Sequence, residues 1–291
     1  MIVPRTVQTA ESVARHYDTL DRFYREIWGE HVHHGLWRTG RETPLEAVEA
    51  LTTLVAERLG IKPGDTVCDV GCGYGGTARL LADRWGCEVT GLTLSERQLA
   101  YAQSVHPRAN PRLIRQDWLA NDFADAGFDA VLSIESSEHM VDKQHFFAEV
   151  ARTLKPGGRF ATCVWLSSER PGKAAINHLL EPICREGRLP GMGSESEYRR
   201  MIEESGLALI GFEDITGQVW KTWWLCLVRA AKGVLTEKSY RAFLLDPANG
   251  DRLFAVTLLR ILIAYRTGAM RYGVFWAIKN ISSQRVEPSN V

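Results

Sequence analysis

The chain has 291 residues, 45% hydrophobic and 24% charged, enough apolar content for one large α/β domain with a lid or for two small domains. Its 35 basic and 35 acidic residues give a formal net charge of +0, which argues against a polyanionic partner and hence against nucleic acid. No apolar core of signal-peptide length opens the chain, and the most apolar run, residues 253–264, is interrupted by Arg260 and too short to span a bilayer, so a cytoplasmic location without a stable membrane span is expected.

Residues 9–30 carry helical spacing at Val13, Tyr17, Leu20, Phe23, Tyr24 and Ile27. Residues 44–59 set Leu45, Val48, Leu51, Leu54 and Val55 on one face and stop at Gly60. Residues 1–60 are therefore read as a helical N-terminal lid. The segment Thr66-Val-Cys-Asp-Val-Gly-Cys-Gly-Tyr-Gly-Gly76 reads as a buried strand that breaks into a glycine-rich turn. Val67, Cys68 and Val70 suit a strand covered on both faces, and Gly71, Gly73, Gly75 and Gly76 leave room for a ligand against the backbone. Asp69, just before the first glycine, would attract an amine-bearing ligand and repel a diphosphate, which disfavours dinucleotides.

Strand-like runs at Val89–Ser95, Leu113–Trp118, Phe128–Glu135 and Arg159–Trp165 alternate with helix-like runs at 75–86, 96–106 and 143–154, and Lys155-Pro-Gly-Gly158 forms the turn before the fifth strand. This is the pattern of a parallel sheet with crossover helices. Helical segments follow at 174–186 and 196–205, then a sixth strand at 207–216, an insertion from Val219 to about Met270, and a seventh strand at 272–279. The expected fold is α/β, a Rossmann-like doubly wound seven-stranded sheet with a helical lid. Residues 61–291 form its core, with substrate-cap insertions at about 166–205 and 219–270. The six scattered cysteines, Cys68, Cys72, Cys87, Cys163, Cys184 and Cys226, are read as reduced, without a second pair to complete a metal site around Cys68 and Cys72.

The ordered set from the glycine turn to Lys155-Pro-Gly-Gly158 resembles the class I S-adenosylmethionine (SAM)-dependent methyltransferases. Glu26-Ile-Trp-Gly-Glu-His-Val-His-His-Gly-Leu-Trp37, Gly91-Leu-Thr-Leu-Ser95, Glu135-Ser-Ser-Glu-His-Met140 and the pair Ile183-Cys184 with Leu189-Pro190 narrow it. They resemble the tocopherol C-methyltransferase-like branch, related to sterol C-methyltransferases, over about residues 15–280. The resemblance implies SAM as cofactor and a hydrophobic small-molecule acceptor, by C-methylation of a prenylated aromatic or isoprenoid. Mg2+ would be required only for a prenyl diphosphate. The alternatives are N- or O-methylation of an alkaloid-like metabolite, and a cyclase or binding protein that keeps the fold without transferring methyl.

By the same resemblance Asp69, Gly71, Gly73, Glu135 and Tyr17 face the cofactor. Thr93, Leu94 and Ser95 stand where conventional members carry an acidic residue, so ribose contact falls to Thr93 and Gln98. Asp117 can accept the adenine amino hydrogen and Trp118 can cover the ring. Glu135, Glu138 and His139 follow the fourth strand at the ligand-binding edge of such sheets. His139 is the candidate base, Glu138 its orienting or charge-stabilising neighbour, and Glu169, after the fifth strand, a further base or carbocation-stabilising candidate. A helix-capping histidine and a solvent-facing glutamate are the plain structural readings of His139 and Glu169.

His34, Trp165, Trp220 and Trp224 are the substrate-contact candidates. Trp220, Trp223, Trp224, Leu227 and Val228 share a helical face that would roof an apolar cavity. His31, His33 and His34 are too close in sequence to point the same way and lack a spaced carboxylate or cysteine, so no metal is expected. Arg185, Arg188, Arg199 and Arg200 alternate with Glu181, Glu186, Glu195 and Glu197 and read as a solvated face rather than a diphosphate site.

Overall fold

A computed structural model describes residues 1–246, 251 and 254–281. Two capped helices open it. In α1 (Ala10–Ile27) Thr9 and Ser12 exchange side-chain and backbone hydrogen bonds, and in α2 (Pro44–Leu59) Thr43 and Glu46 do the same, with Pro44 in the first turn and left-handed Gly60 at the stop. The core elements follow as β1 (Thr66–Val70), α3 (Gly76–Trp85), β2 (Glu88–Thr93), α4 (Glu96–Val105), β3 (Arg112–Arg115), β4 (Phe128–Ile134), α5 (Lys143–Thr153) and β5 (Leu154–Ser167). After them come α6 (Lys173–Ala175), a π-helical stretch Ile176–Leu180, α7 (Glu181–Glu186), α8 (Glu195–Glu204) and β6 (Leu207–Asp214). The cap helices are α9 (Thr216–Val219), α10 (Lys221–Thr236), α11 (Lys238–Leu245) and α12 (Phe254–Arg266), and β7 (Met270–Lys279) closes the sheet.

The seven strands lie in the order β3-β2-β1-β4-β5-β7-β6, parallel except for β7, which runs antiparallel to both neighbours. Val67, Cys68, Asp69 and Val70 are all buried, as expected of a strand covered on both faces. Apolar side chains from the two faces of the sheet form two core clusters, one under α2, α10 and α12, the other under α5 and α8. The chain order reverses between β1 and β4, which opens a crevice at their carboxyl ends.

One local detail differs from the sequence reading. Lys155 to Gly158 lie within β5 as an irregularity: Phe128 pairs with Leu154, whereas Ala130 pairs with Arg159. Lys155 to Gly158 pair with neither β4 nor β7, and Gly157 stands in the left-handed region at φ +76°. The apolar run at 253–264 is α12 from Phe254 onward, with Leu253 outside the described residues. Among the described residues no helix is long and apolar enough to cross a membrane, and all six cysteines are unpaired and buried.

Candidate active site

The crevice between β1 and β4 opens into adjoining cavities. The first, about 660 Å³, is lined by Gly71 and Gly73 after β1, by Thr93 and Gln98 after β2, by Asp117 and Trp118 after β3, and by Glu135 after β4, with Tyr17 of α1 above. Gly71 has φ +79°, and a Cβ there would overlap Ser136, whose hydroxyl bonds the Val70 carbonyl. Only glycine lets the turn approach β4 so closely. Thr93 donates its hydroxyl to Gln98 Oε1 at 2.7 Å, which orients the Gln98 amide N–H groups as donors. Asp117 accepts from the Leu119 N–H at 2.9 Å, while Trp118 is a core residue that donates to the Phe146 carbonyl and offers the cavity part of its ring.

A smaller cavity continues past Gly71 and Gly73 to Asp69, His31, His33 and Thr77. Asp69 is 2% exposed, its Oδ2 has no hydrogen-bond partner, and burial raises its carboxyl to about 7. An orphaned carboxylate oxygen facing a cavity fits an ammonium group, so Asp69 would hold the methionine end of SAM. Contrary to the sequence expectation, His31 and His33 converge, Nδ1 of the one lying 3.3 Å from Nε2 of the other, and only His34 points elsewhere. His33 donates Nδ1–H to the His34 carbonyl, its Nε2 lies 3.2 Å from the Thr77 hydroxyl, and His34 turns to Glu135. Among the described residues, no group of three or more His, Cys, Asp and Glu side chains could hold a metal.

A third cavity, about 470 Å³, has walls of Tyr17, Tyr24, Trp28, Trp165 and Trp223 and a floor of Glu135, Glu138 and His139. It shares Tyr17, Val32, Glu135 and His139 with the first cavity. Val32 also lines the Asp69 cavity and so stands where all three meet.

Glu135 sits at φ +55°, a costly conformation for a side-chain-bearing residue, and is held by four donors. The His34 backbone N–H and Nδ1–H reach Oε1 at 2.6 and 2.9 Å, the Tyr272 hydroxyl reaches it at 2.7 Å, and Trp165 Nε1–H reaches Oε2 at 2.9 Å. Burial opposes its charge, but the hydrogen bonds donated by the His34 ring and backbone help to outweigh it, and Glu135 comes down to about 2. Trp223 donates its indole N–H to His34 Nε2; an indole only donates, so that nitrogen carries the lone pair and Nδ1 the hydrogen.

Glu138 is the opposite case. It accepts from the Trp165 backbone N–H at 2.6 Å, and burial, reinforced by the negative Glu135, lifts it to about 8. Lys143 is buried beside it and ties down the turn, donating to the carbonyls of Glu138 and Met140 at 3.0 and 3.2 Å. His139 donates Nδ1–H to the Arg188 carbonyl at 3.2 Å, because a carbonyl can only accept, and its Nε2 accepts from the Tyr17 hydroxyl at 3.0 Å. Burial depresses His139 to about 4, so it is neutral through the physiological range.

Several sequence expectations need correction. Glu169 is exposed and accepts from the Ser196 N–H and hydroxyl at 2.9 and 2.6 Å, outside the acceptor cavity. Trp220 and Trp224 are 47% and 50% exposed and do not line it either. They lie four residues apart on a row with exposed Val228, whereas α10 docks through Trp223, Cys226 and Gly233. His34 is buried behind Glu135, which it positions, rather than in the cavity wall. Of the face expected to roof the cavity Trp223 alone lines it, and Tyr24, Trp28 and Val32 join it from α1 and the 26–37 segment, where nothing in the sequence separates them from core residues.

A family model described as mycolic acid cyclopropane synthetase matches residues 5–239. The chain is similar to the chloroplastic tocopherol O-methyltransferase of Arabidopsis thaliana, 31% identical over 287 residues that cover 91% of this chain and 80% of the relative. It is also similar to the 2-methyl-6-phytyl-1,4-hydroquinone methyltransferase of Synechocystis, 28% identical over 303 residues, 98% of this chain and 92% of that one. In fold it matches the cyclopropane synthase MmaA2 of Mycobacterium tuberculosis with a TM-score of 0.81 at 24% identity, over 94% of this chain and all of that one.

Proposed function

The chain belongs to the mycolic acid cyclopropane synthetase family of SAM-dependent methyltransferases, and from that membership we propose that it methylates a carbon atom of a prenylated aromatic or isoprenoid acceptor. The observation that carries this reading is the shared rim of Tyr17, Val32, Glu135 and His139 between the cofactor cavity and an aromatic-walled acceptor cavity. SAM supplies a methyl group on a good leaving group; what remains for the protein is alignment, exclusion of water and removal of one proton.

The bases available there favour carbon over oxygen. A phenol releases its proton near pH 10, far above what a His139 depressed to about 4 can remove efficiently. A ring carbon that has gained a methyl group is cationic and strongly acidic, so a weak neutral base suffices. In this reading His139 Nε2 takes the ring proton, with Tyr17 shifting its hydroxyl aside, and the Glu135 carboxylate and the surrounding aromatic faces stabilise the transient cation. Glu138, held neutral, adds no second negative charge. The residues lining the acceptor cavity include no Lys or Arg to neutralise a diphosphate, which supports a quinol over a prenyl diphosphate and its Mg2+.

An acceptor with a hydrocarbon tail also finds room. Tyr24 and Trp28 are shared with a further cavity of about 540 Å³ between α1, α10, α11 and α12, with walls that include Phe23, Val234, Phe243 and Leu258. The test is formation of S-adenosylhomocysteine from SAM with a panel of prenylated quinols, prenyl diphosphates plus Mg2+, and hydrophobic amines. Turnover of quinols with the new methyl on carbon is expected. Turnover restricted to amines or to diphosphates overturns the reading, and tight cofactor binding without turnover of any acceptor points to a descendant that has lost methyl transfer.

A further inference from the structure

Arg188 is bent into the left-handed region, at φ +59°, in the loop after α7. Its neighbour Gly187 could adopt that conformation freely, yet stands at φ −86°. The strain therefore falls on the residue that resists it, and something must hold Arg188 there. The carbonyl this geometry presents is the one that accepts from His139 Nδ1–H.

The guanidinium shows what holds it. Arg188 Nη2 donates to Asp251 Oδ1 at 2.8 Å, and Nε is buried without a partner, so Asp251 is the anchor. The same oxygen lies 3.0 Å from His16 Nδ1, and His16 Nε2 lies 3.0 Å from the Tyr24 hydroxyl. His16 is almost fully buried, and Tyr24 lines the acceptor cavity, as do Gly187 and Leu189 on either side of Arg188. A polar chain thus runs from the cap through Asp251 and Arg188 to the ring of His139.

We propose that Arg188 and Asp251 are positioning residues: their ion pair clamps Arg188 in its left-handed conformation, and the carbonyl so placed fixes the tautomer of His139 with the lone pair on Nε2, toward the acceptor. This rests on the reading of His139 as the proton acceptor. A ring free to exchange its proton between the two nitrogens would present an N–H to the acceptor for part of the time and could not act as base in that form.

Glycine provides the discriminating variant, because it takes φ +59° without a clamp. Turnover of a quinol acceptor should fall about tenfold in kcat in Arg188→Ala and in Asp251→Asn, each tenfold being one decade of transition-state stabilisation, with KM for SAM unchanged. Arg188→Gly should stay within about threefold of wild type, and adding Asp251→Asn to Arg188→Gly should cost little more, since the clamp is then redundant. The nitrogen chemical shifts of the His139 ring, identified by their loss in His139→Gln, should report a single Nδ1–H tautomer in the unmodified protein and in Arg188→Gly, and a mixture in the other two. S-adenosylhomocysteine affinity checks that each variant is folded. A single tautomer retained in Asp251→Asn, or Arg188→Gly as impaired as Arg188→Ala, overturns the proposal. A tautomer that becomes mixed while kcat holds upholds the clamp and instead removes His139 from the chemistry.

Discussion

Replacing Glu138 with glutamine keeps the side chain's shape and removes its ability to ionise. In the folded protein burial and the neighbouring Glu135 lift this carboxyl from 4.5 to about 8. At about 1.4 kcal/mol per pH unit, the ionised form is disfavoured by about 5 kcal/mol. A raised folded value means that the native state keeps a proton which the unfolded chain releases near pH 4.5. The stabilisation from Glu138 is therefore complete below pH 4.5 and is lost as pH rises to about 8. His139, depressed to about 4, has the opposite slope between pH 4 and its ordinary 6.5, so the total stability curve mixes the two. The difference between Glu138→Gln and the unmodified protein isolates the first. Measured by urea unfolding from pH 5 to pH 8, that difference should move by about 3.5 kcal/mol in favour of the glutamine variant. A difference that stays constant across this range would mean that Glu138 is already ionised at neutral pH. The acceptor cavity would then hold two carboxylates, and the case for a quinol over an alkene acceptor, whose cation welcomes that second charge, would fail.

Asp69→Asn should weaken SAM binding by about 3 kcal/mol, the cost of leaving a buried ammonium without its carboxylate, read by titration calorimetry; affinity within threefold of wild type would remove Asp69 from that contact. Gly71→Ala forces a side chain into both a left-handed backbone and the space of Ser136, and should lower stability by at least about 2 kcal/mol together with cofactor affinity, seen as a depressed Tm that SAM no longer raises. The tryptophans of α10 should separate sharply. Trp223→Ala leaves a cavity and removes the donor to His34, at about 3–5 kcal/mol, whereas Trp224→Ala should leave turnover unchanged within about twofold. Equal losses in the two variants would refute the assignment of faces on α10.

What could be read from the chain was what is local. The Asp69 to Gly76 turn declares itself because its demands, burial before the turn and positive φ within it, are met by adjacent residues. The alternation of strands and helices is legible for the same reason. The phase of α10 was not, since an apolar helix with a tryptophan on each of two rows does not say which row meets the core; tertiary packing decides. Nor was the charge pattern of the acceptor cavity. Glu135 and Glu138 are near neighbours of the same type, and their opposite ionisation follows from His34, 101 residues away, from Tyr272, 137 residues away, and from the depth at which Glu138 lies. The clamp on His139 joins residues 16, 139, 188 and 251, a set with no common spacing.

The position of β7 matters for how this protein is made. It follows β5 and β6 in the chain yet lies between them in the sheet, so β6 has no strand to pair with until β7 has been synthesised. About 65 residues separate the end of β6 from the end of β7, which a ribosome adds in about 3–13 s at 5–20 residues per second. Throughout that interval β6 is unpaired, β5 is the open edge of the sheet, and Glu135 lacks the hydroxyl of Tyr272. The nascent chain can assemble its cofactor turn early, but its acceptor cavity is completed only after nearly all of the described chain has left the exit tunnel.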